Sequence, residues 1–288
     1  MKYTLGIDLG TSYFKAGLFD AEGRLCGLGR VEVKKQIDDG VRCEVAVADF
    51  WQFLQQAIEQ AKMQANARTE DITGMVYSSQ ANTFVLLDRD DRPLTPLIIW
   101  ADKRAGKVYP QARELWSQPS FLHTTGIGID CREGMCINKL LWFQENQPQV
   151  WDQTYRIMTI SDYLVYSLTG QRFSDAGTAS LMGILDIHTV SWNKDALDRL
   201  SIDTSKLSMP ALPGTVAGPI SSRDVANKLG LPTGIPLALG SLDHYMAAVG
   251  AGLGTTAQAT ISLGTVVAGV SQMSECIPQK KMVHPVNA

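Results

Sequence analysis

No stretch of the 288 residues is apolar over the length a bilayer crossing needs, and the opening "MKYTLGIDLG" has neither a long apolar segment nor a small-residue cleavage site. A membrane span and a secretory signal are therefore not expected. Charge of one sign is also missing. Twenty-six basic against 29 acidic side chains leave a net charge of -3, so electrostatic capture of nucleic acid or of an anionic membrane is not expected. Cysteine is sparse, odd in number and without pattern. Cys26, Cys43, Cys131, Cys136 and Cys276 form no CxxC, and "CREGMC" has no second Cys or His pair to close a zinc site. They read as free thiols of a reducing cytosol. A Walker A loop is absent as well, since no Gly-Lys-Ser/Thr follows the first glycine-containing turn.

What is present is a globular composition, 45% hydrophobic and 19% charged, long enough for one large domain or two ordinary ones. "YTLGIDL", "YFKAGLFD" and "RLCGLGRVEV" read as strands, with "DAEGR" a hairpin turn whose glycine tolerates the left-handed region. In "ADFWQFLQQAIEQAKMQA", Phe50, Phe53, Leu54, Ala57, Ile58 and Ala61 form one helical stripe, with Asp49 placed to cap its start. "ITGMVYSSQ", "TFVLLD" and "PLIIW" read as further strands. Residues 103–200 read as mostly helical, and "GIPLALGSLDHYMAAVGAG" runs from a strand through Gly240 into a helix. The pattern is α/β, with helices packed on a mixed sheet.

Three clusters carry polar groups where chemistry is done. "DLGTS" ends a strand on Asp8 and turns through Gly10, Thr11 and Ser12, with Lys15 on the next strand. Amide and hydroxyl donors there suit a phosphate, and Asp8 suits Mg²⁺; an ordinary hairpin with a surface lysine fits equally. Asp243 follows an apolar strand at a helix start. It is either an N-cap or a carboxylate that accepts a hydroxyl proton. "SSQANTF" and "IIWADKRA" place Gln80, Asn82, Asp102 and Arg104 after buried strands, with Trp100 as an apolar wall, a mixture that suits a polyhydroxylated ligand or a solvated loop.

Taken in order, "GIDLGTSYFKAGLFDAEG", "SSQANTFVLLDRDDRPLTPLIIWADKRA", "TTGIGID", "NKLLWFQENQPQVW", "SDYLVYSLTGQRFSDAGTAS", "LPGTVAGPI" and "GLPTGIPLALGSLDHYMAAVGAG" resemble the FGGY family of carbohydrate kinases over essentially the whole chain. The resemblance implies an actin-like (ribonuclease H-like) ATPase fold, its first domain a mixed five-stranded sheet flanked by helices. It implies a sugar-binding domain over 1–246 and the start of a truncated nucleotide-binding domain over 247–288, with reduced nucleotide affinity. It implies ATP and Mg²⁺ as cofactors and phosphorylation of a hydroxyl on a small sugar or polyol in the cytoplasm, a homodimer being compatible. Asp243 becomes the general base and Asp8 the metal-side carboxylate. Gly10, Thr11, Ser12 and Lys15, with Gly264 and Thr265 of "ISLGT", would meet ATP phosphates. Gln80, Asn82, Trp100, Asp102, Arg104, Arg132 and His244 fall to the acceptor, His244 alternatively serving the helix start. A non-catalytic sugar-binding or regulatory module is the alternative reading, and a different actin-like ATPase a third. The sugar itself is not named by these residues.

Overall fold

The computed structural model describes residues 1–263, 267–272 and 279–283. The chain opens with three antiparallel strands, β1 (Tyr3–Leu9), β2 (Tyr13–Phe19) and β3 (Leu25–Glu32). Alternation buries Tyr3, Leu5, Ile7 and Leu9 on one face of β1. At the β2–β3 turn Asp20 Oδ1 accepts the amides of Glu22 and Arg24, and Gly23 takes φ +76° as the turn reading expects. Short strands β4 (Ile37–Asp38) and β5 (Cys43–Val45) follow.

Helix α1 (Val47–Ala65) buries the expected stripe from Phe50 to Ala61 and packs on β2 and β3. Its N-cap is Ala46, whose side chain makes no capping bond. Asp49 is thus the third helical residue, where its charge favours the helix dipole rather than capping it. The helix stops at Asn66, left-handed at φ 48°, a conformation asparagine tolerates.

Next come β6 (Ile72–Ser79), β7 (Phe84–Leu87) and β8 (Leu97–Ile98). Helices α2 (Pro110–Ser117), α3 (Phe121–Thr125), α4 (Cys136–Asn146) and α5 (Pro148–Gln153) lead to β9 (Arg156–Thr159) and α6 (Ile160–Thr169). Then follow β10 (Phe173–Asp175), α7 (Ala176–Ser180), β11 (Leu185–Asp186), β12 (Ser191–Trp192), α8 (Lys194–Arg199) and β13 (Met209–Ala211). The chain returns through β14 (Val216–Pro219), α9 (Arg223–Leu229), β15 (Pro236–Leu242) and α10 (Asp243–Gly250) to the hairpin β16 (Ala259–Leu263) and β17 (Val267–Ser271).

The main sheet has the order β14-β15-β6-β1-β2-β3, six strands against the five expected, because β14 folds back antiparallel on β15. β15, β6 and β1 run parallel. A second sheet, β4-β5-β8-β7-β9, pairs antiparallel throughout. One core gathers Phe14, Phe50, Leu54 and Ile58 with the main sheet; another gathers Phe84, Leu140 and Phe143 beneath the helical middle.

Candidate active site

Three parallel strands end level with one another. Asp8 is in register with Ser78, Leu9 with Ser79, and Leu242 also with Ser79, so Asp243 emerges beside the first two strand ends. The carboxyl ends of adjacent parallel strands are where open α/β sheets form ligand crevices. Lys15 is the antiparallel partner of Asp8 on β2, and its Nζ donates to Asp8 Oδ2 at 2.8 Å. Ser78 Oγ donates to Asp8 Oδ1 at 3.0 Å. The Asp8 side chain is 28% exposed and that of Lys15 44%, so this ion pair is open to a ligand.

Asp243 is the first helical residue of α10, while Leu242 holds the N-cap position. The carboxylate accepts the His244 amide at 2.7 Å and so does not cap the helix in the usual way. Burial pushes its pKa up and the charge of Asp8 adds to this; His244 and Lys15 act in the opposite direction. A carboxylate shifted toward the working pH range suits a proton acceptor. The His244 imidazole makes no hydrogen bond among the described residues; only its main-chain N–H meets the Asp243 carboxylate.

The turn between β1 and β2 is tight. A Cβ on Gly10 would stand 2.8 Å from the Tyr13 carbonyl, so only glycine fits without displacement. Gln80 Nε2 donates to the Gly10 carbonyl at 3.3 Å. Thr11 Oγ1 receives the Trp100 indole N–H at 2.7 Å and reaches Gln80 Oε1 at 3.5 Å. Ser12 is exposed, and its carbonyl accepts the Val33 amide. Gly264 and Thr265 lie outside the described residues.

The residues assigned to the acceptor divide into two groups. Trp100 is half-buried beside Thr11. Asn82, left-handed at φ 57°, accepts the Cys136 amide on its side-chain oxygen at 2.9 Å. Arg132 is exposed; its guanidinium makes no ion pair among the described residues, and a Cβ on Gly134 in the same loop would lie 3.5 Å from the Trp100 carbonyl. By contrast, Gln80 is buried and receives Thr83 Oγ1 at 2.9 Å. Asp102 is wholly buried, one oxygen taken by the Cys43 amide and both by Arg104, which also binds Glu44. Asp102 and Arg104 therefore saturate each other and brace β5, where the sequence reading has them facing the ligand. Burial pushes the Asp102 pKa up, but its bonds to Arg104 and Cys43 outweigh this and lower it.

Sequence reasoning passed over Ser78, Thr83 and Lys139. The last is wholly buried on α4, and burial pushes its pKa down to about 8. Its signal was legible: Cys136, Lys139, Leu140 and Phe143 are spaced as one buried helical stripe, with a lysine where an apolar residue belongs.

Residues 3–250 match the model of the N-terminal domain of the FGGY family of carbohydrate kinases. The chain belongs to that family. A xylulose kinase of Lactococcus lactis is 29% identical over 267 residues, covering 92% of this chain and 52% of that protein. An autoinducer-2 kinase of Klebsiella pneumoniae is 27% identical over 271 residues, covering 92% and 50%. The chain spans about half the length of the curated relatives it matches. Among solved structures, a ligand-bound xylulose kinase from Lactobacillus acidophilus superposes with a TM-score of 0.76 at 27% identity, covering 87% of this chain and 50% of that one. A second xylulose kinase, from Brucella ovis, gives 0.79 at 28%, covering 91% and 53%. The FGGY chain accordingly has the actin-like ATPase fold of these sugar kinases. The four described cysteines of this FGGY chain are free, and no described helix is long and apolar enough to cross a membrane.

Proposed function

We propose that this chain forms the acceptor-binding part of an ATP-dependent kinase for a small sugar or polyol. The observation that carries the reading is the placement of the open Asp8–Lys15 pair and Asp243 at one end of the main sheet, where β1 and β15 end level on either side of β6. Asp243 accepts the proton of the acceptor hydroxyl as general base. Phosphoryl transfer passes through a loose transition state, so the base chiefly orients the nucleophile. Lys15 and the amide and hydroxyl donors of Gly10, Thr11 and Ser12 hold phosphate oxygens, with Gly264 and Thr265 assigned the same role. Asn82, Trp100, Arg132 and His244 bind the acceptor; Gln80, Asp102 and Arg104 hold their framework.

The donor set fits Mg²⁺. No described group of three or more His, Cys, Asp or Glu side chains converges on one point, but Asp8 presents a part-exposed carboxylate beside the phosphate turn. Magnesium typically takes one or two carboxylates, phosphate oxygens and water. Bound with ATP, it would neutralise charge on the phosphates, and Asp8 would hold it from the protein side.

The test is acceptor-dependent ADP release from Mg-ATP across ketoses, polyols and aldonates, with calorimetric acceptor binding in parallel. Asp243→Asn is expected to lower turnover by about 10²–10⁴-fold and to leave acceptor affinity within a few-fold. Undiminished turnover in that variant overturns the role of Asp243. Acceptor binding without any ADP release, even when a second-domain fragment is supplied, favours a non-catalytic sugar-binding module.

A further inference from the structure

A lysine buried without a carboxylate partner is expensive unless it does something an apolar residue cannot. Lys139 is such a residue: 0% exposed, in a core of Phe84, Leu140 and Phe143, and in no ion pair among the described residues. Its Nζ donates instead to two main-chain carbonyls, Asn82 at 3.0 Å and Ile99 at 2.9 Å. Those carbonyls belong to the loops after β6 and before Trp100.

The second of these peptides is held from both sides. Lys139 takes the Ile99 oxygen, and the same peptide's N–H, that of Trp100, donates to Thr83 Oγ1 at 3.0 Å. A peptide plane pinned at both polar ends fixes the direction in which the Trp100 side chain leaves. The first is gripped by α4 alone. The Cys136 amide at the helix start binds the Asn82 side-chain oxygen, and Lys139 one turn later binds its carbonyl. Asn82 is thereby kept in the left-handed region that asparagine visits at modest cost.

We infer that Lys139 is the positioning residue of the acceptor pocket, its ammonium joining the Asn82 and Ile99–Trp100 peptides so that the Asn82 and Trp100 side chains are set relative to each other. This rests on the reading of Asn82 and Trp100 as acceptor-binding groups. Lys62 supplies a matched control. Its Nζ also holds a main-chain carbonyl, that of Gly230, together with Thr69 Oγ1, but it braces α1 against α9.

The experiment uses the full chain with ¹⁵N-labelled tryptophan. The Trp100 indole resonance is identified among the six tryptophans by its loss in Trp100→Phe. Lys139→Met is expected to move that resonance and to weaken binding of the best acceptor in the panel about tenfold or more, since small misplacements of binding groups are costly. Lys139→Gln, which keeps N–H donors without the charge, is expected to fall between Met and the parent, and carries the test if the Met variant does not fold. Lys62→Met is expected to lower the melting temperature without moving the resonance or the affinity. An unmoved Trp100 resonance in a folded Lys139 variant overturns the inference, as does an equal loss of affinity in Lys62→Met. If the resonance moves as expected while the parent binds no acceptor, the brace stands and the functional reading falls.

Discussion

Asp8 and Asp102 each meet a cation at 2.8 Å, and there the likeness ends. Asp8 and Lys15 are 28% and 44% exposed; Asp102 and Arg104 are 0% and 7% exposed, with Glu44 bound to the same guanidinium. The first pair is weakly held by water-screened attraction and keeps bonding capacity for a ligand. The second has spent its capacity on the protein. Carboxylates at loop ends of similar appearance thus divide into one that can exchange partners and one that cannot.

Removing the cation from each pair tests that division. Arg104→Met strands two buried carboxylates and is expected to cost about 3–5 kcal/mol of stability by urea unfolding. A loss below 1 kcal/mol would mean that Asp102 and Glu44 find water and are not locked.

A third carboxylate sharpens the contrast because it is buried with no cation. Asp162 is 3% exposed, receives Thr159 Oγ1 at 2.5 Å, and burial pushes its pKa to about 7. Its folded-state pKa lies above the unfolded value of 3.8, so the unfolded chain binds fewer protons between those limits. Its contribution to stability is complete below about pH 4 and lost as pH rises through 7, with a slope of at most about 1.4 kcal/mol per pH unit. Asp162→Asn is expected to flatten the pH dependence of stability over that window. An unchanged profile would place the titration elsewhere, Asp175 being shifted in the same direction by its own burial.

The smallest structural effect belongs to the open pair. Lys15→Met is expected to change stability by no more than about 1 kcal/mol, while weakening Mg-ATP binding measured by calorimetry. A stability loss approaching that of Arg104→Met would erase the distinction between the two pairs.

Much of this was legible in the residues. The α1 stripe, the β1–β2 turn and the emergence of Asp243 from a strand end all follow from local periodicity and turn chemistry. The cap of α1 was misplaced because the helix begins where the chain leaves β5, a tertiary fact that puts Val47 before Asp49 in the helix. Asp102 read as ligand-facing because spacing does not reveal that the Cys43 amide, 59 residues away, takes one of its oxygens. The extra strand β14 carries Gly218 and Pro219 among its four residues, too short and too poor in β-formers to announce itself. Lys139 was visible as an anomaly in a stripe, but its purpose depends on two carbonyls from other segments.

The level ending of β1, β6 and β15 also bears on the order of events in folding. Asp8 and Lys15 meet within one hairpin, seven residues apart, whereas Ser78 joins Asp8 across 70 residues and Asp243 lies far beyond both. Parallel pairings of such separation close slowly, since loop entropy is spent before any contact repays it. During synthesis all residues of the hairpin are present long before β15 has been made. The site therefore cannot be assembled from any one stretch of the chain, and a molecule able to bind through all three strand ends has, by that fact, closed its main sheet.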